Sequence, residues 1–552
     1  MDKEKEVEMF IGLTSWKARY RCFTFFVVLA GLLVSFGLAH PISAAEPKTL
    51  LIAQGADIGI IDDQVAGGVG KLAPMHIYDF QWMKYNLVAT PQDDIAEVFG
   101  NLTPGVIWAH KTIPQPDGTA IQRFYIRPGA KHHSGNPIVA EDFRYTFLRR
   151  AGVGKDSMDL SMAGLYPAKG GKLTLDESIK IIDDNTFEIR VTKALPSFSA
   201  IFQMRTYFDS KLMKANATPD DPWSLKFAAK NDAGNGPYML EKWTEGNEMV
   251  LKRFEDFWGP RPPIDRLVFR TIPDVSNRAM LLKRGDVDVV LQLPSQELQD
   301  LKKAPGVKVL SAPSVNQLYI VMNLNVKPFD NTNLRMALTH AFPYDDVINS
   351  IYQGGAQPLY GSIATGMPGA LKERRYKTDL ALAKKYLEKA GYAKGLTLTM
   401  KWESLMPEHK DVGVMFMENL RKIGVELKLQ QLPRGQFQKA KQDHTLDFYT
   451  CEFMGWIQTP AYLHGYHFFS TSFGNYAGWK NKLADEMILK ANQEIDPGKR
   501  TELAKKIQEI IIKDPPWIFV CQPDNNIAMR SNIVGVVASY TEFPLFGLMD
   551  KK

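Results

Sequence analysis

Cysteine is nearly absent, with three residues (Cys22, Cys451 and Cys521) in a chain of 552. That scarcity excludes a disulfide-stapled scaffold, and the spacing excludes a cysteine-built zinc site. Basic runs are missing as well. Lysine and arginine (67) exceed aspartate and glutamate (61) by six, scattered along the chain, so no electrostatic footprint for nucleic acid exists. Signatures of catalysis are also lacking: there is no G-x-S-x-G elbow, no H-E-x-x-H and no dinucleotide fingerprint. Neither a fixed-period repeat nor a low-complexity tract interrupts the sequence. What the chain does have is apolar material, 45% of its residues against 23% charged, enough for the large cores of two or three lobes at this length.

One long apolar run stands out, from Cys22 to Ala39. Lys3, Lys5, Lys17, Arg19 and Arg21 precede it; Pro41 and the small residues Ser43, Ala44 and Ala45 follow. Basic, then apolar, then small is the order of a secretory signal peptide, with cleavage expected near Ala44. The alternative is an uncleaved anchor, since the run reaches the lower edge of a bilayer span. Either reading places the remainder outside the cytoplasm. An exported chain leaves Cys451 and Cys521 free to pair or to stay buried as thiols.

Periodicity divides the rest. Strand-like pieces such as Ile121–Ile126 and Thr186–Val191 alternate apolar and polar residues up to about residue 194, with a helix beginning at Ala140 among acidic residues. Strand and helix then alternate: a strand over Leu396–Trp402, a helix over 411–423 closed by Gly424, strands over Val425–Gln431 and Leu446–Met454, and a last helix over 498–513 stopped by Pro515 and Pro516. This pattern predicts an α/β lobe. The loop Ala66–Gly70 looks like a phosphate cradle but fails as one, because Leu72 follows Lys71 where Ser or Thr is required. Adjacent His132 and His133 point to opposite faces of a strand and cannot share a metal ion. Asp62-Asp63 and Asp345-Asp346 read as solvated loop or helix-start positions.

Five ordered segments carry a resemblance. They are Arg127–Phe143, Gly234–Tyr238 with Trp243, Gly246 and Phe257-Trp258-Gly259, Leu281–Val289, Asn323–Leu338, and Gly455-Trp456. Together they resemble the family 5 extracellular solute-binding proteins, the periplasmic receptors of oligopeptide, dipeptide and nickel ABC importers; Pro343 stands where that family usually has aspartate. The resemblance implies a periplasmic-binding-protein-like α/β fold. Two lobes are joined by hinge strands, with an extra β-rich domain on the first. Its divisions here are a signal peptide (1–44), the first lobe (45–85, 196–304 and a return at 522–552), the β-rich domain (86–195) and the second lobe (305–521). It further implies a monomer without catalysis or cofactor, which captures a peptide-like or other small solute and delivers it to permease subunits in the inner membrane. A secreted hydrolase with a large cleft, or a receptor serving another membrane protein, are the alternatives.

By the same resemblance, Gly455 and Trp456 lie at the ligand. Peptide-binding members place an aspartate three residues beyond that tryptophan to hold the ligand's ammonium group; here Thr459 occupies the position, with Gln458 beside it. Both can donate and accept hydrogen bonds, which suits a neutral, hydroxylated or N-blocked ligand. Gly67, Gly68 and Val69 are expected to face the cleft from the first lobe. Glu403 falls near the place where dipeptide binders offer an arginine, and Phe453, Tyr462, Tyr466 and His467 are candidates for an aromatic wall of which one or two reach the ligand.

Overall fold

Asn316–Met322 is buried along its whole length, as an apolar strand covered on both faces must be. In the computed structural model, which describes residues 46–62, 64–65, 74–78, 83–89, 95–153, 175–191, 206–454, 459–494, 496–538 and 544–552, this strand is central to a six-stranded sheet. Antiparallel neighbours flank it, Phe448–Met454 on one side and Trp517–Pro523 on the other. Leu396–Glu403 and Val425–Leu432 extend the sheet as a parallel pair, and Ala356–Pro358 closes the opposite edge. Alternation sends Leu318, Ile320 and Met322 into one core with Phe342 and Phe416. Tyr319 and Val321 enter another with Trp479 and Trp517.

A seven-stranded sheet is assembled from far more distant pieces. Its order is Val307–Ala312, Asn525–Arg530, Val289–Val290, Thr49–Gln54, Arg266–Thr271, Glu248–Arg253, Tyr238–Thr244. Thr49–Gln54 runs parallel to both of its neighbours, and the outer pairs are antiparallel. The chain passes from this sheet to the six-stranded one through Pro313, Ser314 and Val315, and returns through Asp524. The two passages are bonded together: Ser314 Oγ donates to Pro523 O at 2.6 Å, and Gln522 Nε2 donates to Ser314 O at 2.9 Å.

The expected β-rich addition is a four-stranded antiparallel sheet ordered Ile107–Pro114, Ala120–Ile126, Thr186–Val191, Ile179–Asp183. The helix Ala140–Gly152 packs on it, stacking Phe143 against Phe187 with ring centres 5.0 Å apart. Asp142 reaches back to the Val139 amide, which satisfies a backbone donor left open at the helix start. The helix read over 411–423 begins earlier, at Pro407, because proline at the first helical position needs no hydrogen-bond acceptor. No helix among the described residues is long and apolar enough to cross a membrane.

One expectation changes and one open alternative is decided. Asp62 is not solvated: it is fully buried and paired with buried Arg149, whose guanidinium also donates to Gln64 Oε1 at 2.7 Å and Trp223 O at 2.9 Å. A buried arginine needs such a partner, which the run of two aspartates did not disclose. Cys451 and Cys521 are free and buried. They lie on opposite sides of the central strand, across from Tyr319 and Leu318, and their side chains enter different cores. Two strand spacings, about 9–10 Å, exceed the reach of a disulfide.

Candidate ligand-binding site

Strand direction gathers the candidates at one edge of the six-stranded sheet. Lys401 sits beside Tyr449 in a parallel pair, and Gln317 faces Phe453 in an antiparallel one. Glu403, Phe453 and Gln317 therefore end at the side where the chain crosses between the sheets. There Phe453 stacks on Tyr466 with centroids 5.3 Å apart and meets the His467 ring edge-on at 4.3 Å. Tyr466 stacks on Tyr462 at 5.8 Å, and its hydroxyl lies 3.1 Å from that of Tyr476. The four expected aromatics thus come together, Phe453 and Tyr466 half-buried, Tyr462 and His467 buried. The cluster is uncharged near neutrality, because burial lowers the His467 pKa to about 3. Gln317, also buried, finds no partner for its Nε2 among the described residues.

Thr459 serves the scaffold, since its hydroxyl accepts the Tyr462 amide at 3.2 Å and caps the helix Pro460–His467. Glu403 is buried and held, accepting Arg434 Nη1 at 2.7 Å and Gln438 Nε2 at 2.6 Å. Arg434 was not foreseen from the sequence. It opens the helix two residues beyond the end of the neighbouring strand, and no local pattern marks it as the partner of a residue 31 positions away. Gly67, Gly68, Val69, Gly455, Trp456 and Gln458 lie outside the described residues.

The motif segments that carried the resemblance build scaffold. Gly234 and Gly236 let the chain pass so close to Ile77 and His76 that a Cβ would stand 2.2 Å and 2.5 Å from their carbonyl oxygens. Asp288 accepts the Leu51 amide at 2.9 Å and so ties two strands of the seven-stranded sheet. Arg335 is buried against Pro515 O, Phe329 O and Asp514. His132 and His133 take different carboxylates, Asp142 at 2.9 Å and Asp232 at 2.8 Å. His132, Asp142 and Asp209 converge closely enough to suggest a cation, yet their oxygens are taken up by Ser210, Val139, Ser134, Asn136 and Leu212. These bonds make a cross-linked corner, not a metal centre.

Paired crossings link two α/β sheets, and the aromatic cluster lies at the end of one of them where the chain crosses. Residues 109–476 match the model of the bacterial extracellular solute-binding proteins, family 5 (middle region), and the chain belongs to that family. It is a substrate-binding subunit of the ABC-importer type and not an enzyme. Among curated relatives, the probable D,D-dipeptide-binding periplasmic protein DdpA of Escherichia coli is 25% identical, over 75% of this chain and 78% of its own. The dipeptide-binding protein of the same organism is 26% identical, over 75% and 80%. Among solved structures, the periplasmic binding protein DppA of Helicobacter pylori in complex with the peptide STSA superposes with a TM-score of 0.77 at 23% identity, over 91% of this chain and 98% of that one. The dipeptide-binding protein of Pseudoalteromonas sp. SM9913 with Met-Leu gives 0.76 at 19%, over 92% and 100%.

Proposed function

We propose that this receptor is exported, loses its leader near Ala44, and encloses an intact peptide-like solute in the periplasm between a lobe built on the seven-stranded sheet and one built on the six-stranded sheet. The lobes divide at the two crossings, 313–315 and 524. Closure about these short passages would remove water from the ligand and strengthen each polar contact inside. The closed receptor would then dock on an ABC permease and release its guest.

The observation that carries the reading is the uncharged aromatic edge at Phe453, Tyr462, Tyr466 and His467, placed beside the crossings. Relatives bear the names of D,D-dipeptide, dipeptide and glutathione binders, so short peptides or their conjugates are the first class to try. Thr459 carries no charge and Glu403 is already paired with Arg434, so neither anchors a free ammonium group. Ligands with a blocked or derivatised amino end are favoured over free dipeptides. The test is a thermal-shift panel of dipeptides, N-acylated peptides and glutathione on wild type and Trp456→Ala. Stabilisation of wild type that the variant loses supports the pocket, and equal stabilisation of both places the ligand elsewhere.

A further inference from the structure

The helix Ser295–Lys302 belongs to the seven-stranded side, where Leu298 and Leu301 pack with Ala53 and Ala528. It begins after Pro294, which supplies no side-chain cap. Its first amide is satisfied from across the crossing: Ser295 N donates to Glu408 Oε1 at 2.9 Å. Glu408 lies in the first turn of Pro407–Lys422, on the six-stranded side. One residue further along the facing helix a second bond joins the two sides, from Gln353 to Gln296. Gln353 is held there with a left-handed φ of 50°, a conformation a glutamine adopts at a cost.

Behind Glu408 the polar contacts continue to the crossing itself. His409 Nε2 lies 3.1 Å from Glu452 Oε1, and Glu452 Oε2 accepts Asn316 Nδ2 at 2.6 Å. Asn316 is the first strand residue after the passage through 313–315. Hydrogen-bonded side chains and one peptide link thus connect the crossing to the N-terminus of a helix on the opposite side.

We infer that Glu408 is an interlobe latch: by capping the helix Ser295–Lys302 it holds the two sides together, and removing that cap shifts the resting receptor toward a more open form. The inference rests on the two-lobed binding reading above. A negative group at a helix start is favoured by the dipole and by the unsatisfied amide. Burial opposes it, raising the Glu408 pKa above the usual carboxylate range while the Ser295 hydrogen bonds pull the other way. The latch is therefore a contact of limited strength, suited to opening. A glutamine keeps the carbonyl acceptor without the charge, whereas alanine loses the acceptor altogether.

The test needs no ligand. Spin labels at Lys283→Cys and Lys439→Cys, on helices of the two sides, report the distance between them in the unliganded protein without its leader; Cys451 and Cys521 are buried. Glu408→Ala is expected to lengthen and broaden that distance and to speed exchange of the Ser295 amide roughly tenfold, the loss of one hydrogen bond. Glu408→Gln should match wild type or shift toward the shorter distance, and Gln296→Ala should show a weaker form of the alanine effect. Unfolding midpoints of all three variants separate a local change from a failed fold. Distances and exchange in Glu408→Ala equal to wild type would overturn the latch while leaving the binding reading intact. Failure of the thermal-shift panel would instead remove the binding reading on which the latch rests.

Discussion

The two large sheets differ in how the chain makes them. All six strands of one come from a single stretch, Asn316 to Pro523, so its pairings form within one continuous segment. The seven-stranded sheet joins Thr49–Gln54 to strands more than two hundred residues away, and Asn525–Arg530 is inserted between Val289–Val290 and Val307–Ala312. Non-local pairings carry a larger loop-closure cost and form late. The six-stranded sheet can therefore be complete before the seven-stranded one is, and the seven-stranded sheet depends on the last residues of the chain.

Deleting Asn525–Lys552 gives the largest expected effect. It detaches the edge strand Val307–Ala312 from the rest of the seven-stranded sheet and removes Phe546 and Met549 from its core. Hydrogen exchange should then show protection kept over 316–523 and lost over 238–312, and uniform loss would mean that the two sides fold as one unit.

Next in size are the buried arginines. Arg149→Ala strands buried Asp62 and removes one bond to a backbone carbonyl, with an expected cost on the order of 3–5 kcal/mol. Arg335→Ala removes two such bonds and the pair with partly exposed Asp514, which keeps Thr332 and Trp479 as donors, and should cost less. Arg149→Ala should lower only the denaturant midpoint of the seven-stranded side, and Arg335→Ala only that of the six-stranded side. Equal shifts at both would merge the regions.

Acid should separate them more gently. Burial lowers His464 and His467 to about 3 on the six-stranded side and His76 to about 4 on the other, against an ordinary value of 6.5. A histidine kept neutral by the fold stabilises it above 6.5; below that the unfolded chain binds the proton first, so stability falls as pH drops toward the folded value. Each contributes a loss on the order of 2 kcal/mol between pH 6.5 and 5. The six-stranded side, with two such groups, should lose more of its unfolding free energy than the other, and an equal loss would contradict the assignment.

Much of the architecture was legible because periodicity reports which face is buried: Thr186–Val191, Leu396–Glu403 and the helix closed by Gly424 follow directly from alternation and capping. The motif residues were legible for a different reason. Gly236 and Asp288 occupy places where one atom more or one charge fewer breaks the scaffold. The candidate site was harder to read, because its contacts join residues remote in sequence. Glu403 was expected near the ligand and is spent on Arg434; Thr459 was expected to meet the ligand and its hydroxyl caps a helix. Aromatics at 453, 462, 466 and 467 were found by nearness to the Gly455-Trp456 segment, yet their stacking depends on a helix whose start is set by Thr459 and Pro460.

The most direct measurement is the mass of whatever the receptor carries. Protein isolated from its source cell and sprayed under native conditions should hold one small guest per chain. Once released by denaturation, that guest should have the same mass as the free solute and should rebind to stripped protein. A guest recovered cleaved or otherwise altered, or a chain that never carries or rebinds one, would contradict a receptor that holds its cargo unchanged.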